Sequence, residues 1–312
     1  MAGQGIVRIG ISGWTYAPWR GRFYPERLLQ KYELAYAATQ FPSIEINGTF
    51  YGLQRPDSFK RWRDETPDDF VFAVKGPRYI THMLRLEEIE APLANFFASG
   101  LLRLGPKLGP VLWQFPPSMA FDAARFEAFF KLLPQDADAA TALGRRHDDH
   151  VKARAWLTTD ATQPIRHAVE IRHDSFRSPA FIDLLRRHNI ALVVADTVDW
   201  PLLMDVTAEF VYCRLHGSDE LYVSGYDDEA LDEWARRVRD WAHGGCPDPE
   251  RHVLPDCAPH GKARDVFVYF DNTDKKQRAP RDARALMQRL DDLVPAVAHP
   301  ASPAWMGRRA GV

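Results

Sequence analysis

The stretch HAVEIRHDSFRSPAFIDLLRRHNIALVVAD, His167 to Asp196, contains a complete strand–helix–strand unit. His167 to Arg172 alternates, with Val169 and Ile171 on one face and Glu170 and Arg172 on the other. Pro179 to His188 follows with helical spacing, and Ile190 to Asp196 is a second β-branched run. Two strands joined through a helix pair in parallel, and a parallel sheet has helices over its faces.

Working outward, the same kind of run recurs at Val7 to Ser12, Ser43 to Asn47, Phe70 to Lys75 and Val111 to Phe115, then at Phe210 to His216 and Val266 to Phe270. Helical patterns separate most of them: Pro25 to Gln40, Leu86 to Leu104, Phe121 to Leu133, Asp228 to His243 and Pro280 to Leu293. Eight strands alternating with helices predict an α/β fold, a TIM-type (β/α)8 barrel, over a doubly wound sheet. No G-x-G-x-x-G follows a strand, which removes the usual dinucleotide signature. The repeat weakens in three places. Asp196 to Phe210 leaves room for a turn, so the sixth helix is reduced. Gln135 to Pro164 is an insertion before strand 5, with one helical stretch near Ala139 to Trp156. Gly244 to Lys262 is an irregular excursion before strand 8. The expected organisation is one barrel domain over residues 1–299 and a flexible tail over 300–312.

Composition narrows the function classes. The chain has 312 residues, 46% hydrophobic and 26% charged, which is globular composition and excludes wholesale disorder. Forty basic against 42 acidic side chains give a net charge of −2, which argues against a protein built to coat nucleic acid or an anionic membrane. No leader pattern opens the sequence and no apolar run reaches ~18 residues, so a cytoplasmic protein without a membrane partner is expected. Three cysteines, Cys213, Cys246 and Cys257, make no disulfide framework for a chain of this size. Cys246, His252, Cys257 and His260 have zinc-ligand types, but their spacing fits no common zinc module.

In a barrel, alternate residues of each strand face the helices or the axis. The helix-facing set is apolar, as at Ile9, Ile11, Ile44 and Ile46. The other set is polar toward the C-terminal strand ends: Ser12, Glu45, Asn47, Lys75, Gln114, Glu170, Arg172, Asp196, Arg214, His216, Tyr269 and Asp271. Barrel active sites sit at that end, and an axis lined with unpaired ions would cost several kcal/mol each. The plain alternative is that these groups begin loops or lock the mouth by Arg–Glu pairing. The chemistry the set allows is acid/base work by Glu170 with His216 assisting and Glu45 as second carboxylate. Lys75, Arg172 and Arg214 would hold an anion, with Asn47, Gln114, Tyr269 and Asp271 as further contacts. Glu45 and Glu170 also suit a glycosidase pair, which requires a defined separation. A divalent metal is conceivable from the carboxylates and histidines, but no ligand-spacing motif supports it. Aromatic residues gather in the same loops: Trp14, Tyr16, Trp19, Phe50, Tyr51, Tyr222 and Tyr226. They would suit sugar rings or bases, or simply pack. His82, beside Thr81, could reach the mouth or cap a helix.

Taken together, S-G-W-x-Y (Ser12 to Tyr16), F-Y-P (Phe23 to Pro25), E-I-N-x-T-F-Y (Glu45 to Tyr51), F-x-F-A-V-K (Phe70 to Lys75), Thr81-His82, L-G-P-x-L-x-Q-F-P-P (Leu108 to Pro117), V-E-I-R-H (Val169 to His173), Y-C-R-L-H-G (Tyr212 to Gly217) and V-Y-F-D-N (Val268 to Asn272) resemble the YecE-like family, domain of unknown function 72. The resemblance runs in order from about residue 7 to 293 and implies a TIM-type barrel, with little biochemistry attached. It adds Thr49, His173 and Asn272 to the residues of the shared core; Asp271 stands where the resemblance leads one to expect asparagine. The functions to weigh are an acid/base enzyme (hydrolase or isomerase) on a small polar, anionic or sugar-like substrate, a nucleic-acid-binding or processing protein, and a metabolite sensor without turnover. Cofactor and oligomeric state are left open at this level.

Overall fold

The computed structural model describes residues 4–151, 154–159, 162, 164–217, 225–257, 262–272 and 278–297. Its strands are β1 (Val7–Ser12), β2 (Ser43–Ile46), β3 (Val71–Lys75), β4 (Leu108–Gln114), β5 (His167–Glu170), β6 (Ala191–Asp196), β7 (Phe210–Leu215) and β8 (Asp265–Phe270). Each pairs in parallel with the next, and β8 returns to β1 to close the barrel. The eight expected strands are all present, and β4 starts earlier than expected, at Leu108. Around the barrel run α1 (Glu33–Ala37), α2 (Gly48–Tyr51), α3 (Pro56–Asp64), α4 (Glu90–Ala98), α5 (Ala123–Leu132), α6 (Ala137–Gly144), α7 (Pro179–Arg187), α8 (Asp228–Ala242) and α9 (Arg278–Arg289).

The two strand faces bury two different cores. Ile9, Ile11, Ile44, Ile46, Val169 and Ile171 pack outward against the helices. Ala73, Leu112, Ala168, Val193, Phe267 and Tyr269 fill the axis. Between the outward Ile9 and Ile11, Gly10 has the axial parity and no room for a side chain, since a Cβ there would come within 1.9 Å of the Ser43 carbonyl oxygen. Two expected axial polar groups behave differently. Asp196 shares the parity of Leu192 and Val194, so it points outward and accepts a hydrogen bond from Trp234 Nε1 of α8 at 3.2 Å. Tyr269 does face the axis, but deep within it, its hydroxyl 2.6 Å from Ser43 Oγ.

The sequence patterns omit α3. Its segment PDSFKRWRD is mostly charged, and only Phe59 and Trp62, three apart, are buried. Pro56 starts it, and Lys107 caps its far end, Nζ donating to the carbonyls of Arg63 at 2.6 Å and Thr66 at 2.7 Å. The insertion before β5 holds a shorter helix than expected, α6, which packs on α4. Asn95 Nδ2 of α4 donates to Asp148 Oδ1 at 2.9 Å and so fixes the insertion beside the mouth.

Between β6 and β7 no helix forms, as expected, and the excursion before β8 covers the place it would occupy. Arg237 Nε of α8 donates to Asp248 Oδ2 at 2.6 Å, and Arg186 Nη2 of α7 donates to the Asp256 carbonyl at 2.8 Å. Asp205, in the β6–β7 link, accepts from the amides of Val253 and Leu254 at 2.8 and 3.0 Å. Cys246 and Cys257, Cα atoms 6.0 Å apart, form a disulfide within this excursion, so the pair holds a loop. His252 Nε2 lies 3.0 Å from the Pro247 carbonyl, and no metal-binding group of three or more such side chains exists among the described residues. His260, Tyr222 and the tail over 300–312 lie outside the described residues.

The disulfide spans 11 residues, for which loop closure is worth roughly 2–3 kcal/mol. Cys246→Ser/Cys257→Ser is expected to lower the melting temperature by several degrees. Identical calorimetric melts with and without reductant would show that the bond contributes nothing.

Candidate active site

Arg214, from the end of β7, stands on the barrel axis with no exposed surface. Its guanidinium reaches three carboxylates from three other strands. Nε and Nη2 donate to Glu45 Oε2 and Oε1 at 3.1 and 3.0 Å, Nη1 to Glu170 Oε2 at 2.5 Å and Nη2 to Asp271 Oδ2 at 2.7 Å. Parallel strands bring side chains of like parity to similar heights, so one planar fork at the centre can bridge several strand ends. Each carboxylate is further supported. Glu45 accepts from the hydroxyls of Ser12 at 2.8 Å and Tyr212 at 2.6 Å. Glu170 Oε1 accepts from Gln114 Nε2 at 2.7 Å and from Arg172 Nε at 2.9 Å. Asp271 Oδ2 lies 3.1 Å from His216 Nδ1, and His216 Nε2 is 4.0 Å from Glu170 Oε2.

Burial alone would push the Glu170 and Asp271 pKa values up, but Arg214 outweighs it, with Arg172 helping at Glu170 and His216 at Asp271, and both fall well below the usual range. For Arg214, burial works against the charge, and Asp271, Glu45 and Glu170 together raise it well above its usual value.

Above this layer opens a cleft of about 830 Å³, lined by Asn47, Phe50, Tyr51, Lys75, Arg78, His82, Gln114, Arg172 and Asp271, with Tyr16 and Met83 at its edge. Of the predicted residues it thus gathers Asn47, Tyr51, Lys75, His82, Gln114, Arg172 and Asp271. Glu45, Glu170, Arg214 and His216 lie behind that wall, fully buried. The carboxylate pair considered for glycoside chemistry shares one guanidinium and does not line the cleft.

Four predicted residues lie elsewhere. Trp14 packs edge-on against Trp62 at 5.4 Å, and Tyr269 is in the axial core. His173 caps a 3-10 turn, its Nδ1 accepting from the Ser175 amide at 3.1 Å. Asn272 Nδ2 donates to Asp282 Oδ2 of α9 at 3.1 Å.

Lys75 ends β3, and its carbonyl accepts from Thr49 Oγ1 at 2.6 Å, which ties the strand end to α2. Its ammonium sits 4.3 Å from the centre of the Phe50 ring. Burial first, then the nearby Arg214, lowers its pKa to about 8. His82 is lowered to about 4 by burial and then by Arg172 and Lys75, so it is neutral near pH 7. Asn47 Oδ1 is buried against the cleft with no partner among the described residues. The Arg172 guanidinium stacks 3.6 Å over the Trp200 ring.

Sequence reasoning missed Arg78, Met83, Trp200 and Tyr212. Tyr212 had a usable signal, since it shares the parity of Arg214 on β7. The others come from loops, where no periodicity applies.

A family model described as "Protein of unknown function DUF72" matches residues 8–305. The chain is similar to the UPF0759 protein YecE of Escherichia coli (strain K12), 31% identical over 111 residues, 36% of this chain and 38% of that protein. It is also similar to the UPF0759 protein YunF of Bacillus subtilis (strain 168), 30% identical over 117 residues, 36% of this chain and 40% of that protein. The chain thus spans well under half the length of the curated relatives it matches. Among solved structures it resembles a DUF72 family protein from Thermotoga maritima, with TM-score 0.68, 24% identity and coverage of 92% of this chain and 99% of that one. A DUF72 family protein from Enterococcus faecalis gives TM-score 0.61, 16% identity and coverage of 92% and 98%. At those identities the likeness speaks for the barrel alone.

Proposed function

We propose, for a chain that belongs to the DUF72 family, an acid/base enzyme of hydrolase or isomerase type that acts on a small anionic substrate at the C-terminal mouth. The observation that carries this reading is the charge of the cleft wall: Lys75, Arg78 and Arg172 face one carboxylate, Asp271. Asp271 shares Arg214 with Glu45 and Glu170, and Lys75, Arg78, Arg172 and Arg214 against these three carboxylates leave the wall and the layer behind it with one net positive charge. Lys75 is the central group. Its ammonium makes no hydrogen bond to a described residue, and a pKa of about 8 suits both anion holding and proton transfer near neutrality. Arg172 and Arg78 hold the anion with it, while Asn47 and Gln114 supply hydrogen bonds.

The buried layer takes a different part from the one its residue types suggest. Glu170, held ionised by two arginines, is a poor proton donor, and Arg214 has its donors on carboxylates instead of substrate. Together with Glu45 they act as positioning residues that fix Arg172 and Asp271. His216, against Asp271, helps to hold that carboxylate in position. No helix among the described residues is long and apolar enough to cross a membrane.

The test is titration with inorganic sulfate, whose charge is constant across the range used. Binding is expected to saturate near neutral pH and to weaken at least tenfold by about pH 9.5, as Lys75 loses its proton above its folded pKa of about 8. No saturable binding would sink the anion reading. Saturable binding without turnover of any member of a sugar-phosphate and hydroxy-acid panel would make the protein a metabolite sensor.

A further inference from the structure

A second cavity of about 570 Å³ adjoins the cleft and shares Phe50, Tyr51, Arg78 and Met83 with it. Its character is different. Pro77, Tyr79, Leu84 and Pro92 line it, together with Arg78, Glu88 and Asp148. Phe50 is the wall between the two: one side of its surroundings is the Lys75 ammonium, and Tyr51 and His82 meet its ring edge-on at 5.2 Å.

Two independent features mark this groove. The first is exposure. Tyr51, Tyr79 and Met83 are 71%, 50% and 64% exposed, and these three of the six large exposed hydrophobic residues among the described residues edge this one groove. Scattered exposed hydrophobics are ordinary; a cluster beside a polar cleft marks a binding surface. The second is the backbone. Tyr79–Met83 is a single π-helical turn, and Arg85, Leu86 and Glu88 directly after it adopt left-handed φ values of 51°, 68° and 49°. Such turns and such non-glycine residues cost energy and concentrate at functional sites. Here the turn presents Tyr79 and Met83 outward on the rim while His82, within the same turn, lines the cleft.

We infer that the groove is the second half of the substrate site and receives an apolar, planar group attached to the anion. The substrate class is then an aromatic or similarly apolar organic anion, with its charged head at Lys75 and Arg172 and its ring on Tyr51, Tyr79 and Met83. This rests on the anionic reading of the cleft. Continuity with the cleft argues for a part of the substrate over a separate partner, since Arg78 lies at the junction, 5.6 Å from the Tyr51 ring centre. Asp148 and His150 also line the groove, so the insertion before β5 helps to set which group fits.

The experiment compares three probes on the intact protein: sulfate (head alone), 2-naphthyl sulfate (head and ring) and 2-naphthol (ring alone). They are titrated against the native chain and Tyr79→Ser, with thermal melts to confirm that this exposed position leaves the fold intact. 2-Naphthyl sulfate is expected to bind at least tenfold tighter than sulfate, and Tyr79→Ser to cut that gain severalfold while keeping sulfate affinity. Equal affinity for sulfate and 2-naphthyl sulfate would overturn the inference and leave the anionic cleft standing. Rim-dependent 2-naphthol binding with no sulfate binding would support the ring groove and overturn the anionic head. A dimer that Tyr79→Ser dissociates would assign the groove to a second copy and overturn the inference.

Discussion

Arg214→Met is expected to abolish stable folding near neutral pH. The substitution keeps the unbranched apolar stem but removes the guanidinium, and so strips Glu45, Glu170 and Asp271 of the charge that all three share. Breaking one buried pair costs about 3–5 kcal/mol, and a typical domain has only ~5–15 kcal/mol in total. Acid should rescue it. In the native chain the Glu170 and Asp271 carboxyls titrate well below their ordinary values, so their contribution is present above the unfolded pKa and lost as pH falls through the folded one. Without Arg214, burial dominates and raises them, so the variant gains stability as pH falls from about 7 toward 4. Denaturant unfolding across that range reads the sign directly. A variant within ~1 kcal/mol of the native chain at neutral pH, or one whose stability does not rise as pH falls toward 4, would show that the carboxylates do not depend on Arg214.

Lys75→Met is expected to do the opposite for stability while removing function. Burial, then Arg214, depress this lysine from 10.5 to about 8, so its charged form is held in the folded protein at a cost. Converted at ~1.4 kcal/mol per unit, that cost is on the order of 3 kcal/mol at neutral pH. The sign follows from proton counts: between about pH 8 and 10.5 the unfolded chain binds more protons, so native stability rises with pH over that window. The methionine variant should show no such rise, melt higher at neutral pH and lose sulfate affinity at least tenfold. Lower stability in the variant would mean that the ammonium is stabilised by its three acidic neighbours and is part of a structural lock. A stabilising loss-of-function change is the mark of a site residue held against the interest of the fold.

The parity argument made much of the site legible before any coordinates. Glu45, Lys75, Gln114, Glu170, Arg172, Arg214 and His216 do converge from different strands, because alternation along a strand is a local rule. It misplaced Asp196 because the inward register of β6 is carried by Ala191, Val193 and Ala195, and alanine and valine suit either face. It missed α3 because two apolar residues in nine make a weak stripe.

Composition and periodicity by themselves determined the closed α/β barrel, the two insertions and the missing sixth helix, since each depends on patterns within a few residues of chain. Only the tertiary structure decided which inward groups meet one another and which meet the cleft. Arg214 and Lys75 look alike in sequence, each a cation at a strand end, yet one is enclosed by three carboxylates and the other stands against an aromatic ring at the cleft wall. That difference comes from height along the axis and from loops contributed by other strands, such as the π turn that brings Arg78's neighbours Tyr79 and Met83 to the rim. Height and loop placement are properties of the closed barrel, and no local stretch of sequence contains them.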